Sequence, residues 1–346
     1  MPESTQGNNS ETRLLTDERF LRRVAYLYYE DGHSQEIIAD KEYCSRQTVS
    51  KALQKAKDKG IVRISIVPDL RTGYIRNLAR DVRVLLELED LVLVPGQNMN
   101  AVAANELLEG VVTDITIHAA EYLDQMLSDN DVVAISGGTA FMRGLVRHIK
   151  PNRSQPHMQV VSTIGFVEGH TSSGDANMIA HDLAQAYGCS HYWFPCPAIL
   201  PDTKYLDLTR QLPLIKEAYA MMQQANVIVT GLWTPHTNTN MIMRGIISHE
   251  QLESIEAYQP AVDINHWIFD AQGRCINEMM DPFPYALTGM EIPRLSDAIQ
   301  QRKVKVILVA GGSPSHVSAI RAALKAGLAN ILITDHITAQ LLLTNS

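Results

Sequence analysis

The chain has 346 residues, of which 45% are apolar and 20% charged. That is enough for two or three folded units, each with its own core, and too apolar for a wholly disordered protein. Its formal net charge of -8 disfavours nucleic acid as a partner only if the charge is spread evenly, and it is not. Residues 13–67 hold eleven Lys/Arg against eight Asp/Glu, a balance of +3, which leaves -11 for the remainder. A small basic module joined to a large acidic one points to nucleic-acid binding by the former. No apolar run reaches the ~18 residues that cross a bilayer, and the opening MPESTQGNNSET lacks an export signal, so a cytoplasmic protein without membrane contact is expected. Four cysteines with no CxxC spacing suggest reduced thiols rather than zinc or a disulfide framework.

In chain order, residues 1–12 read as a polar tail. Thr16 is placed to cap a first helix running to about Tyr29, stopped by Asp31-Gly32. Ser34 caps a short second helix through Ile37 and Ile38. Ser45 caps a third, whose stripe of Val49, Ala52, Leu53 and Ala56 is buried and whose Arg46, Gln47, Thr48, Ser50 and Lys51 point outward, with Lys55 a turn further on. Ile61 to Val67 alternates like an edge strand or wing. Two helices joined by a turn, the second polar and basic at its start, form a helix-turn-helix over residues 13–67. Arg pairs with guanine and Gln with adenine, while Ser, Thr and Lys reach phosphates or base edges, so double-stranded operator DNA is the expected partner through Ser45, Arg46, Gln47, Thr48, Ser50, Lys51 and Lys55. One recognition helix reads few base pairs, so a homodimer or homotetramer is expected.

Residues 68–90 read as a linker helix with Leu70, Tyr74, Leu78 and Val82 at helical spacing. From residue 91 to 346, strand-length apolar runs alternate with helices: DLVLVPG, a helix near 102–127, DVVAISGG, a helix from about 140, MQVVSTIG, a helix near 175–187, HYWFPCPAI, a helix near 213–225, NVIVTGLW, AVDINHWIF, VKVILVAGG, a helix near 316–326, and NILITD. This is the pattern of a doubly wound, mostly parallel α/β sheet, whose ligands bind at the carboxyl ends of the strands. There, Ser136, Gly137, Gly138 and Thr139 lead into one helix and Gly311, Gly312 and Ser313 into another, so that backbone N–H groups can hold an anion. Neither turn fits the P-loop or dinucleotide pattern. Thr163, Gly165, Trp233, Asp263 and Asn265 close other strands, and a carboxyl and an amide among them suit sugar hydroxyls. Twelve histidines form no metal-ligand spacing. No metal or cofactor is expected.

Both halves resemble the SorC family of bacterial sugar-responsive transcription regulators. The matching residues are YYEDGHSQEIIAD and SRQTVSKALQKAKDKGIVRISI in the first module. In the second they are AISGGT, VVSTIG with Gly169, FPCPAI, AVDINHWIFDAQG and VILVAGGSPSHVSAIRAALKAGLANILITDHITAQLLL. The resemblance spans nearly all of residues 15–343. It implies a phosphosugar-isomerase-like effector domain with Gly138, Thr139, Asp263, Gly311 and Gly312 lining the pocket, and a sugar or sugar phosphate as effector. Where the family often has a Lys after the second glycine pair, this chain has His316. In the helix-turn-helix, Glu42, Tyr43 and Cys44 replace the family's usual Leu, Gly and aliphatic residue.

The reading is therefore a regulator of a carbohydrate-utilisation operon rather than an enzyme. A phosphosugar isomerase or deaminase with a fused helix-turn-helix is the alternative, with Asp263, Glu168 and Asp335 as the carboxyls to weigh. A ligand-free architectural DNA-binding protein is a third reading, disfavoured by the two glycine loops.

Overall fold

The computed structural model describes residues 14–59, 61–62, 73–99, 102–167, 175–234 and 247–344. The chain divides after Val67 into two compact units.

In the first unit, helices α1 (Glu18–Tyr29), α2 (Gln35–Lys41) and α3 (Arg46–Asp58) enclose Phe20, Leu21, Val24, Ile38, Val49, Ala52, Leu53 and Ala56. Ser34 and Ser45 cap α2 and α3 as expected, their hydroxyls accepting from the N–H groups of Ile37 and Thr48. The cap of α1 is Asp17, not Thr16, because its carboxyl accepts from the Arg19 N–H at 2.9 Å. Between α2 and α3, Tyr43 takes a left-handed conformation, φ +50°, with its side chain 96% exposed. Glycine adopts that conformation without strain. Here the turn is closed instead by the Cys44 N–H donating to the Ala39 carbonyl at 3.0 Å. The expected wing falls largely outside the described residues. Ile61 and Val62 form a bend, with the Val62 N–H on the Ala56 carbonyl.

The second unit begins with α4 (Gly73–Leu85), β1 (Asp90–Val94), α5 (Glu109–Met126), β2 (Val132–Ile135), α6 (Ala140–His148), β3 (Gln159–Ser162), α7 (Ala176–Tyr187) and β4 (Ser190–Tyr192). It continues with β5 (Ile199–Leu200), α8 (Lys204–Gln211), α9 (Pro213–Gln223), β6 (Val227–Thr230), α10 (His249–Glu256), β7 (Pro260–Ile264) and β8 (Trp267–Asp270). The last elements are α11 (Ile276–Met279), β9 (Ala286–Leu287), α12 (Leu295–Gln300), β10 (Lys305–Val309), α13 (Pro314–Lys325), β11 (Ile331–Asp335) and α14 (His336–Thr344). Seven strands form one sheet in the order β1-β11-β10-β6-β2-β3-β4, every neighbouring pair parallel.

The continuous apolar runs exist because both faces are covered. Val133, Ile135, Val227, Val229, Ile307 and Val309 pack with α5, α6 and α7. The alternate residues Ala134, Ile228, Val306 and Leu308 pack with Ile215 and Met222 of α9 and with Val317 and Ile320 of α13. Leu78 and Val82 bury α4 against Ala339 of α14.

Three expected elements differ. The helix near 102–127 starts only at Glu109, because the preceding backbone is engaged elsewhere: the Ala104 carbonyl accepts from the Ser315 N–H, and the Leu108 N–H donates to the Gly312 carbonyl. HYWFPCPAI is two short strands, since Pro195 and Pro197 have no N–H to give a ladder. AVDINHWIF is an antiparallel hairpin of β7 and β8 outside the parallel sheet.

Asn330 ties the amino ends of three strands. Its side chain accepts from the Val306 N–H at 2.7 Å and donates to Glu89 and to the Val304 carbonyl, while its own carbonyl accepts from the Glu89 N–H. Asn330→Ala leaves a buried N–H without its acceptor, and we expect a loss of about 2–4 kcal/mol, read as a lower urea midpoint.

Candidate functional site

From β2 the chain winds to β3 and β4 on one side, and from β6 to β10 and β11 on the other. The crevice where the winding reverses lies between the carboxyl ends of β2 and β6, the place at which doubly wound sheets take ligands. The loop after β2 is tied across this crevice. The Ser136 N–H donates to the Val229 carbonyl at 2.9 Å, and the Ser136 hydroxyl accepts from the Gly231 N–H. Thr139 caps α6 by accepting from the Met142 N–H. Gly137 is pressed on the start of α7, where a Cβ would fall 2.6 Å from the Ala176 Cα. Gly138 is left-handed, φ +83°, and a Cβ there would lie 3.2 Å from the Trp233 indole. Among the described residues, the N–H groups of Gly138, Ala140 and Phe141 make no hydrogen bond. A helix start with open N–H groups attracts an anion.

The hairpin of β7 and β8 docks on the same place. Asp263 and Trp233 exchange both backbone hydrogen bonds, at 2.8 and 3.0 Å. The Asp263 carboxyl is buried and accepts from the His266 N–H at 2.8 Å. Asn265 donates its amide to the Thr163 hydroxyl at 2.9 Å, and the Thr163 N–H bonds to the Ile135 carbonyl. Ser136, Gly138, Thr139, Thr163, Trp233, Asp263 and Asn265 are thus brought together by direct contacts. Gly165 has a packing reason: a Cβ would fall 2.1 Å from the Cys196 carbonyl oxygen. Glu168 and Gly169 lie outside the described residues.

The second glycine loop departs from expectation. Gly311, Gly312 and Ser313 are all buried, and the N–H groups of both glycines and the Ser313 hydroxyl are filled from within. The Gly311 N–H donates to His316 Nδ1 at 3.2 Å, the Gly312 N–H to Asp335 Oδ2 at 2.8 Å, and the Ser313 hydroxyl to the Ala104 carbonyl at 2.9 Å. Asp335 also accepts from the N–H and hydroxyl of Thr338. The loop that sequence assigned to a bound anion already holds a carboxyl of its own.

His316 is corrected with it. Burial pushes its pKa down to about 4, so at neutral pH the ring is uncharged and accepts the Gly311 N–H. It is no stand-in for a lysine. Sequence reading missed Arg143, whose guanidinium donates to the Gly138 carbonyl at 2.9 Å and supplies a cation beside the open loop. Its only sequence signal was its place one turn after the cap Thr139. His266, beside Asp263, was also missed.

In the first unit, Arg46, Gln47, Ser50, Lys51 and Lys55 are exposed along α3. Arg46 pairs with Glu36 of α2 at 3.1 Å. Thr48 is buried rather than outward-facing, because it lies four residues before Ala52 on the core stripe, and its hydroxyl bonds to that of Ser45 at 2.8 Å. These two hydroxyls hold the start of the helix.

The His316 result carries a pH prediction. The native state holds a neutral ring with pKa near 4, whereas the unfolded chain takes up the proton near 6.5. The associated stability is complete above pH 6.5 and is lost as pH falls towards 4. His316→Asn, which retains an acceptor but does not titrate, should shrink the stability loss between pH 7.5 and 4.5 by about 2–3 kcal/mol in urea unfolding.

Residues 76–344 match the family model for a sugar-binding domain. The chain is 27% identical over 323 residues to the deoxyribonucleoside regulator of Bacillus subtilis, covering 93% of this chain and 96% of that protein. It is 25% identical to the sorbitol operon regulator of Klebsiella pneumoniae over 331 residues, covering 94% and 98%. The crystal structure of the full-length Klebsiella pneumoniae regulator SorC superposes with a TM-score of 0.66 at 22% identity, covering 95% of this chain and all of that one. No helix among the described residues is long and apolar enough to cross a membrane. With a family match over most of its length and a helix-turn-helix before it, the chain belongs to the sugar-binding domain family and is a member of the SorC family of transcription regulators.

Proposed function

We propose that the protein binds operator DNA through residues 13–67 and changes its operator affinity when a sugar or sugar phosphate occupies residues 91–346, so controlling a carbohydrate-utilisation operon. The observation that carries the effector half is the open start of α6 at the switch point, with Arg143 beside it and the hydroxyl-reading groups of Asp263, Asn265 and Thr163 across the crevice. In this reading an anionic group rests on the N–H groups of Gly138, Ala140 and Phe141, and the polyol extends towards Asp263. Trp233 offers a flat apolar wall. Gly311, Gly312, Ser313 and His316 support the site from behind: the His316 ring lies 5.7 Å from that of Phe141.

The enzyme alternative is not favoured. Of the carboxyls weighed, Asp335 is enclosed and drops out: a Cβ on Gly96 would fall 2.3 Å from its Oδ1 and one on Gly311 2.7 Å from its Oδ2. The relatives carry regulator names rather than enzyme names.

Operator recognition rests on the exposed face of α3. Arg46→Ala should weaken and relax binding to an operator selected from random duplexes by about 1–3 kcal/mol, whereas Lys55→Ala should weaken all sequences alike, as fluorescence anisotropy will show. Unchanged affinity in a folded Arg46→Ala protein contradicts the assignment. The active species is a dimer or tetramer of two-fold symmetry reading half-sites about 34 Å apart or a multiple of this. Light scattering of the operator complex tests this, and a monomer on the operator refutes it. Gly138→Val meets Trp233 and a left-handed backbone, so it should abolish the sugar-phosphate response and leave operator affinity unchanged.

A further inference from the structure

Asn265 and His266 make the two-residue turn of the β7–β8 hairpin, with Ile264 and Trp267 paired across it. Both residues have positive φ, +54° and +65°. That is the pattern of a type I′ turn, whose second position belongs to glycine. A histidine there is strained and must be held by its surroundings. It is held on three sides. The His266 carbonyl accepts from the Asn277 amide at 3.1 Å and from the Tyr285 hydroxyl at 3.0 Å, and its N–H donates to Asp263 Oδ1. Backbone strain at a side chain beside a ligand crevice invites a functional reason.

The side chain supplies one. His266 Nδ1 and Asp263 Oδ2 are both buried and, among the described residues, neither has a hydrogen-bond partner. They stand 3.8 Å apart, too far to bond each other. A single oxygen at about 2.8 Å from each would satisfy both. That oxygen must accept from Nδ1–H and donate to the carboxyl of Asp263. A hydroxyl does both, whereas the oxygens of a dianionic sugar phosphate have no proton to give and meet the negative charge of Asp263. We propose that His266 is a specificity-determining residue that, together with Asp263, grips one neutral hydroxyl of the sugar effector. This rests on the effector site drawn above. It adds a direction, with the anionic end at α6 and a particular hydroxyl at the hairpin.

The test uses the full-length chain and two variants. Sorbitol, sorbitol 6-phosphate, fructose 6-phosphate and 2-deoxyribose 5-phosphate are screened by melting shift, and the tightest is followed by calorimetry. His266→Gly suits the turn, so its Tm should equal or exceed that of the parent protein, yet it should bind that ligand about ten- to thirty-fold more weakly. His266→Asn tolerates the left-handed conformation and places its amide N–H where Nδ1 stood, so it should remain within about threefold. Inorganic phosphate, which lacks the sugar and its hydroxyls, should bind all three proteins alike. Equal sugar-phosphate affinity in His266→Gly and the parent overturns the proposal and leaves His266 a turn residue with water bridging it to Asp263. Equal losses in both variants overturn it too, since the amide then fails to replace the ring nitrogen. If none of the four compounds shifts the parent protein, the effector site itself is misplaced and the proposal falls with it.

Discussion

The buried carboxyl of Asp335 determines how the carboxyl end of the sheet is used. It sits at the tip of β11 and accepts three hydrogen bonds, from the Gly312 N–H and from the N–H and hydroxyl of Thr338. Gly96, Gly311 and Gly312 crowd around it; at the first two, a side chain would run into its oxygens. An anion in the loop after β10 would have to take the Gly312 N–H from this carboxyl and set a second negative charge beside it in a buried place, at a cost of several kcal/mol. The loop after β10 is therefore closed by the protein itself. Among the described residues, the loop after β2 keeps N–H groups without a hydrogen bond.

Among the described residues, that division leaves the proposed effector crevice with two chemical ends. At one end, open N–H groups at the start of α6 and the Arg143 guanidinium present positive potential. At the other, Asp263, Asn265 and Thr163 present oxygens and an amide held by the β7–β8 hairpin. A phosphorylated polyol has the same polarity. The two-way backbone pairing of Asp263 with Trp233 fixes the distance between these ends, because it joins the hairpin to the strand loop that borders Gly138. Movement of the hairpin on ligand binding would be felt at β6, in the middle of the sheet.

Much of this was legible in the sequence, for local physical reasons. The caps Ser34 and Ser45, the stripe of Val49, Ala52, Leu53 and Ala56, and the apolar runs of the parallel strands depend on near neighbours or on a simple period. So did the placing of glycines, Thr163 and Trp233 at strand ends. What escaped depends on groups far apart in the chain. His316 looks like a cation by type, but burial keeps its ring neutral, and its Nδ1 accepts the Gly311 N–H. Residues 102–108 have no helix because their backbone closes over the loop at Gly312 and Ser313, more than two hundred residues away. Thr48 was assigned outward by its polarity, although its register put it inward.

If the effector's anionic group rests on α6, as proposed, the bond between Gly312 and Asp335 stays intact. A crystal structure of the protein with a sugar phosphate that raises its Tm tests this most directly. The account predicts phosphate oxygens within hydrogen-bond distance of the N–H groups of Gly138, Ala140 and Phe141, with Asp335 still accepting from the Gly312 N–H. A phosphate bound to residues 311–313 with Asp335 turned away would contradict it.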